Sequence, residues 1–187
     1  DLPTAVKAVE LNISCPNVED RGKMFSHTPV STYEVVHATS QIKAPRWAKL
    51  SPNVTNLVEI ANAAKEAGAD GVTLINTVMG MVIDIDERRP LLGAGGGGLS
   101  GPAIRPIAIR SVFDVHSALP DIPIVGVGGV ASAKDVIEFL MAGASAVQIG
   151  SANFADPRIS KRVITDLFKW CEENKIENIQ AVKGLAH

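Results

Sequence analysis

Short, apolar, β-rich runs alternate along this chain with segments of helical periodicity. Val6–Ser14, Arg46–Ser51, Gly71–Asn76, Pro123–Val127 and Ala146–Gly150 read as strands. Their apolar residues are mostly continuous rather than alternating, which suits parallel strands buried on both faces. Between and after them the spacing predicts helices over Thr32–Ser40, Asn56–Ala67, Ile104–Leu119, Ala133–Ala142 and Arg158–Asn174. The fourth helix opens on Ser132-Ala-Lys-Asp135, the spacing of a capping box. Gly68 and Gly143, each in an Ala-Gly-Ala context, are expected to stop the second and fourth helices. The glycine run Gly93–Gly98 reads as a flexible loop.

Strand and helix in strict alternation predict an α/β fold with a parallel sheet. A barrel and an open doubly wound sheet both fit. The two similar helix-to-strand passages, Ala-Gly-Ala-Asp-Gly-Val (67–72) and Ala-Gly-Ala-Ser-Ala-Val (142–147), favour the quasi-repeated units of a (β/α)8 TIM barrel. So do paired glycine loops near the end, where that barrel keeps its phosphate site. A full barrel takes eight strands in roughly 250 residues, and five are legible here. The chain therefore reads as one domain over 1–187 that supplies about the last five βα units, with three more expected before Asp1.

Polar residues collect at the strand ends, where both architectures place their sites. The richest stretch is Glu-Leu-Asn-Ile-Ser-Cys-Pro-Asn (10–17), an apolar strand ending in amides, a hydroxyl and a thiol. Cys15, flanked by Ser14 and asparagines, could act as a base wherever the site favours the thiolate. A free cysteine is more often a small buried hydrophobe. Asn12, Asn17, Asn53 and Asn76 lie at or just past strand ends, with Thr77 beside the last; several amides together can match the edge of a cyclic imide. Each alone is a common turn former, and Asn53 could simply precede a helix. Lys49, inside Trp-Ala-Lys-Leu-Ser, must find a partner or reach water from an edge strand. Its functional reading is a cation beneath an electron-rich cofactor ring. Gly126-Val-Gly-Gly129 and Gly150-Ser151 each end a strand and lead towards a helix, where backbone N–H groups can approach phosphate oxygens. Neither has the spacing of a dinucleotide fingerprint or a P-loop.

Composition narrows the function classes further. The 187 residues are 46% hydrophobic with a net charge of −2, large enough for one core and without a basic footprint for nucleic acid. No apolar run approaches the ~20 residues needed to span a bilayer. Two cysteines, Cys15 and Cys171, suggest no disulfide framework and favour a cytoplasmic location. His27, His37, His116 and His187 show no metal spacing, so no metal site is expected.

Taken together, these segments resemble the dihydroorotate dehydrogenases, specifically the class 1B catalytic subunit. The matching stretches are Glu-Leu-Asn-Ile-Ser-Cys-Pro-Asn-Val (10–18), Ala-Lys-Leu-Ser-Pro-Asn-Val-Thr (48–55) and Gly-Ala-Asp-Gly-Val-Thr-Leu-Ile-Asn-Thr (68–77). Further on come Gly-Gly-Leu-Ser-Gly-Pro-Ala-Ile-Arg-Pro (97–106), Gly-Val-Gly-Gly-Val (126–130) and Gly-Ala-Ser-Ala-Val-Gln-Ile-Gly-Ser (143–151). The resemblance covers nearly the whole chain and the last three-fifths or so of a family member.

What it implies is an FMN-binding barrel that oxidises dihydroorotate to orotate in pyrimidine biosynthesis. It makes Cys15 the catalytic base towards C5 of the substrate, with hydride passing from C6 to FMN. Asn12, Asn17, Asn76 and Thr77 become pyrimidine-binding residues. Asn12, Lys49, Ile75, Gly101, Gly128, Gly129, Gly150 and Ser151 become flavin contacts, the last four at the phosphate. It also implies a homodimer and a heterotetramer with a subunit carrying FAD and a 2Fe-2S cluster that passes electrons to NAD⁺. Two alternatives stay open on the sequence: a related dihydropyrimidine dehydrogenase acting on uracil or thymine, and a non-catalytic half-barrel.

Overall fold

Five parallel strands stand side by side in the order in which the chain makes them. The computed structural model describes residues 3, 5–15 and 24–187. The strands are β1 (Val9–Asn12), β2 (Arg46–Leu50), β3 (Gly71–Leu74), β8 (Ile124–Val127) and β9 (Ala146–Gln148), and the sheet order is β1-β2-β3-β8-β9. Four short strands, β4 (Val78–Gly80), β5 (Ile83–Asp84), β6 (Arg89–Pro90) and β7 (Gly97–Leu99), lie outside this sheet. The helices are α1 (Pro29–Ala38), α2 (Leu57–Glu66), α3 (Arg105–Ala118), α4 (Ala133–Met141), α5 (Ala152–Ala155) and α6 (Ile159–Glu173).

The order separates the two architectures left open by the sequence. A doubly wound sheet reverses direction at a switch point and carries helices on both faces. Here no reversal occurs, and α1 packs on α2, α2 on α3, α3 on α4 and α4 on α6. Right-handed crossovers that always step the same way put every helix on one face. The sheet is thus an arc of a (β/α)8 barrel, five strands wide, with β1 and β9 at its two edges.

Register then sorts the side chains, because residues paired across parallel strands point to the same face. Ala48, Leu50, Val72, Leu74 and Ile124 point outward and are fully buried beneath the helices. The opposite, concave face carries Glu10, Asn12, Trp47, Lys49, Gly71, Thr73 and Gln148. Phe139 of α4 sits where a Cβ on Gly126 would be, so that glycine lets the helix close on β8. Arg46, only 8% exposed, donates to Val36 O at 3.0 Å and Gly68 O at 2.6 Å, joining the C-terminal ends of α1 and α2 to the start of β2.

Three expectations about element ends and caps need correction. The first strand is only Val9–Asn12, since Ile13 N turns back to Leu11 O at 3.0 Å. The first helix begins at Pro29, three residues early. Thr28 caps it in a reciprocal box with Ser31, and proline suits the first helical position. At α4 the expected box is only half made: Ser132 accepts from Asp135 N, but the Asp135 carboxylate turns to Ala131 N.

The glycine run is not the flexible loop expected. Gly97–Leu99 pairs antiparallel with Val78–Gly80, Ile83–Asp84 pairs with Arg89–Pro90, and Leu92 bridges to Gly95. A Cβ on Gly98 would collide with the Thr77 side chain, so that glycine serves close strand approach. Gly68 and Gly143 do end α2 and α4, with φ of +89° and +109°. Among the described residues no helix is long and apolar enough to cross a membrane.

Candidate active site

The C-terminal tips of β1 and β3 meet in a chain of hydrogen bonds that ends on sulfur. Asn76 N–H bonds to Leu50 O at 2.9 Å, which fixes the tip of β3 against β2. The Asn76 amide accepts from Thr77 N at 2.7 Å and donates through Nδ2 to Ser14 Oγ, also at 2.7 Å. Ser14 in turn donates to Asn12 Oδ1 at 3.0 Å, and Asn12 Nδ2 donates to Cys15 Sγ at 3.1 Å. Every donor in this series points towards the thiol. Such a contact strengthens when its acceptor carries charge. Cys15 itself is exposed.

Lys49 stands beside this group on the concave face, in register with Asn12. It lies on β2, which is paired on both sides, so it is not the snorkelling edge lysine that the sequence allowed. Its Nζ lies 3.7 Å from Glu10 Oε1. Ile75 is buried, and its N–H bonds to Val127 O at 2.9 Å, tying the tip of β3 to that of β8.

The glycine loops form a second cluster. Gly128 and Gly129 have φ of +139° and +74°. A Cβ on Gly129 would lie 2.7 Å from Gly101 O and 2.9 Å from Arg105 Cβ; one on Gly128 would lie 2.8 Å from Ala108 Cβ. The loop after β8 is therefore pressed against the start of α3. A Cβ on Gly101, whose φ is +86°, would lie 3.9 Å from Ser151 Oγ, while a Cβ on Gly150 would meet open space. Loops distant in sequence thus bring Gly101, Gly128, Gly129 and Ser151 together, with Gly150 facing an unfilled side. That combination, close-packed backbone beside open space, fits a phosphate group and its backbone N–H donors. The residues present accordingly fit the phosphate end of a mononucleotide such as FMN.

Asn17 lies outside the described residues. Asn53 is spent on scaffolding: its Nδ2 donates to Ser51 Oγ and Thr77 O, both at 2.9 Å, and its Oδ1 accepts from Met79 N at 2.9 Å. Among the described residues no cluster of side chains could hold a metal ion.

Sequence reasoning passed over several participants. Ser14, 3% exposed, is the link between the two asparagines. Glu10, a carboxylate inside an apolar run, carried the same signal that drew notice to Lys49. Arg105 gave none, and Asp135 stood out only as a capping residue; their ion pair at 2.6 Å, with Asp135 Oδ2 accepting from Ala131 N at 2.9 Å, clamps the 128–131 loop to α3.

The model of the family described as dihydroorotate dehydrogenase matches residues 2–170. The chain belongs to that family. It is 49% identical over 180 residues to a protein of Listeria innocua named dihydroorotate dehydrogenase B (NAD(+)), catalytic subunit, covering 96% of this chain and 59% of that relative. A Geobacillus protein of the same name is 50% identical over 180 residues, with 57% of its length covered. The chain thus spans about three-fifths of the length of these curated relatives. Among solved structures, a DHODH from Eimeria tenella in complex with ferulenol superposes with a TM-score of 0.79 at 22% identity, covering 97% of this chain and 54% of that one. At that identity the likeness shows the fold alone, which agrees with the barrel arc described above.

Proposed function

We propose that this chain carries the FMN- and pyrimidine-binding part of a dihydroorotate dehydrogenase catalytic subunit, oxidising dihydroorotate to orotate in pyrimidine biosynthesis. The observation that carries the reading is the directed series Asn76–Ser14–Asn12–Cys15, which delivers an N–H to an exposed thiol beside the concave-face lysine. Cys15 takes the proton from C5 of the substrate, and the Asn12 amide holds the sulfur where it can do so. Asn12, Asn76 and Thr77, joined by Asn17, orient the pyrimidine edge. Lys49 presents a cation beneath the flavin ring; Asn12 and Ile75 border that ring. Gly128, Gly129, Gly150 and Ser151 hold the phosphate, and Gly101 is a further flavin contact beside them. When bound, FMN supplies the hydride acceptor for C6.

The relatives' name points to a further subunit and to NAD⁺. In the finer reading, electrons leave through a partner bearing FAD and a 2Fe-2S cluster, in a heterotetramer built on a homodimer of catalytic chains. The edges of β1 and β9 are where the remaining strands of the barrel would pair. The test is to titrate the purified chain with FMN and then add dihydroorotate or dihydrouracil without oxygen. Bleaching of flavin absorbance by dihydroorotate alone supports the reading. Bleaching by dihydrouracil alone, or no flavin binding at all, contradicts it.

A further inference from the structure

Glu10 sits in the middle of an apolar strand, yet its carboxylate has partners from three other strands. Its Oε2 accepts from Thr73 Oγ1 of β3 at 2.7 Å and from Gln148 Nε2 of β9 at 3.2 Å. Its Oε1 faces Lys49 Nζ of β2 at 3.7 Å. β1 and β9 are the opposite edges of the arc, so the Glu10–Gln148 contact crosses the bore between residues 138 apart in sequence. Glu10, Thr73 and Gln148 come from the first, third and fifth strands of the sheet. Alternate strands contribute side chains to one interior layer in an eight-stranded barrel, and these three compose such a layer in polar form.

The geometry fixes the carboxylate before it meets the lysine. Two uncharged donors occupy Oε2, one of them from the fully buried Thr73, and they leave Oε1 turned to Lys49. A pair held this way differs from a mobile surface ion pair, whose side chains must be ordered at an entropic cost. Lys49 stands one step nearer the strand tips than Glu10, level with Asn12.

We propose that Glu10 is a positioning residue for Lys49: it holds the ammonium in place on the concave face and balances part of its charge, with Thr73 and Gln148 holding Glu10 in place. The proposal rests on the flavin reading of the same face. Its consequence is electrostatic. A lone cation beneath the ring favours the electron-rich reduced flavin over the oxidised one, and a fixed carboxylate beside it moderates that preference.

Glu10→Gln tests this, because the amide oxygen can still accept from Thr73 while the charge is gone. The bound flavin in Glu10→Gln should favour the reduced form by about tenfold more than in the parent, a rise of about 30 mV in midpoint potential for a two-electron couple. Glu10→Asp should return most of the way to the parent value. An unchanged potential in flavin-loaded Glu10→Gln overturns the proposal. A second measurement needs no flavin: acylation of Lys49 in the apo chain, read by mass spectrometry against the exposed Lys161 as an internal reference. Loss of the ion pair should speed Lys49 modification severalfold in Glu10→Gln but not in Glu10→Asp; equal rates in all three chains overturn the proposal. Should the parent fail to bind FMN, the flavin reading falls, while the acylation result still judges the Glu10–Lys49 pair.

Discussion

Two glycines of the proposed phosphate site should respond to the same substitution in opposite ways. Gly129 has φ of +74°, and an alanine Cβ there would lie 2.7 Å from Gly101 O. The left-handed backbone costs an L-residue about 1–2 kcal/mol, and forcing a methyl into packed surroundings adds about 1–3 kcal/mol. Gly129→Ala should therefore lose about 2–5 kcal/mol, a large part of a typical total stability. At a urea m-value of about 2 kcal/mol/M this moves the unfolding midpoint down by roughly 1–2.5 M.

Gly150 meets nothing within 4 Å, and no positive φ constrains it. Gly150→Ala should leave the midpoint unchanged or slightly raised, since alanine lowers the entropy of the unfolded chain. The same methyl intrudes on the space proposed for phosphate, so FMN affinity should fall at least tenfold. Urea unfolding followed by circular dichroism and FMN titration followed by flavin fluorescence read the two effects. A Gly129→Ala chain as stable as the parent would show that the loops after β8 and before α3 are not pressed together. A Gly150→Ala chain with parental FMN affinity would remove Gly150 from the phosphate site.

Two further predictions concern the scaffold. Arg46→Met should cost about 3 kcal/mol or more, because the buried guanidinium satisfies carbonyls at the ends of two helices and charged hydrogen bonds contribute about 1.5–3 kcal/mol each; a loss under about 1 kcal/mol would refute that role. His116 is held below its ordinary value of 6.5, first by burial, then by His187 and Lys183. The unfolded chain thus protonates it more readily than the folded one, so stability falls as pH drops below 6.5 and the loss levels off beneath the folded value. His116→Asn should flatten that dependence, and an unaltered pH profile of urea midpoints would contradict it.

The fold was legible where the hydrophobic pattern was long and uninterrupted. Strands β2, β3 and β8 and helices α2 and α4 lie within a few residues of their expected positions, because continuous apolar runs and a glycine stop leave few alternatives. The 78–99 insertion was not legible: its strands are two or three residues long, too short for any period to register, and its glycines look like linker until Thr77 is seen against Gly98. At the site, the residues named individually were visible as unusual types at strand ends. Their connections were not, because Ser14, beside Asn12, reaches Asn76 across 62 positions and Glu10 reaches Gln148 across 138. Asn53 shows the converse, since its position matches the other asparagines while its amide is consumed by the turn that follows β3.

The most direct measurement of the central claim is the rate at which dihydroorotate reduces FMN in a single anaerobic turnover, compared between the parent chain and Cys15→Ala. A positioned base contributes about 10²–10⁴-fold, so the variant should slow by that factor while binding FMN as tightly as the parent. Equal rates in the two chains would contradict the assignment of Cys15 as the base.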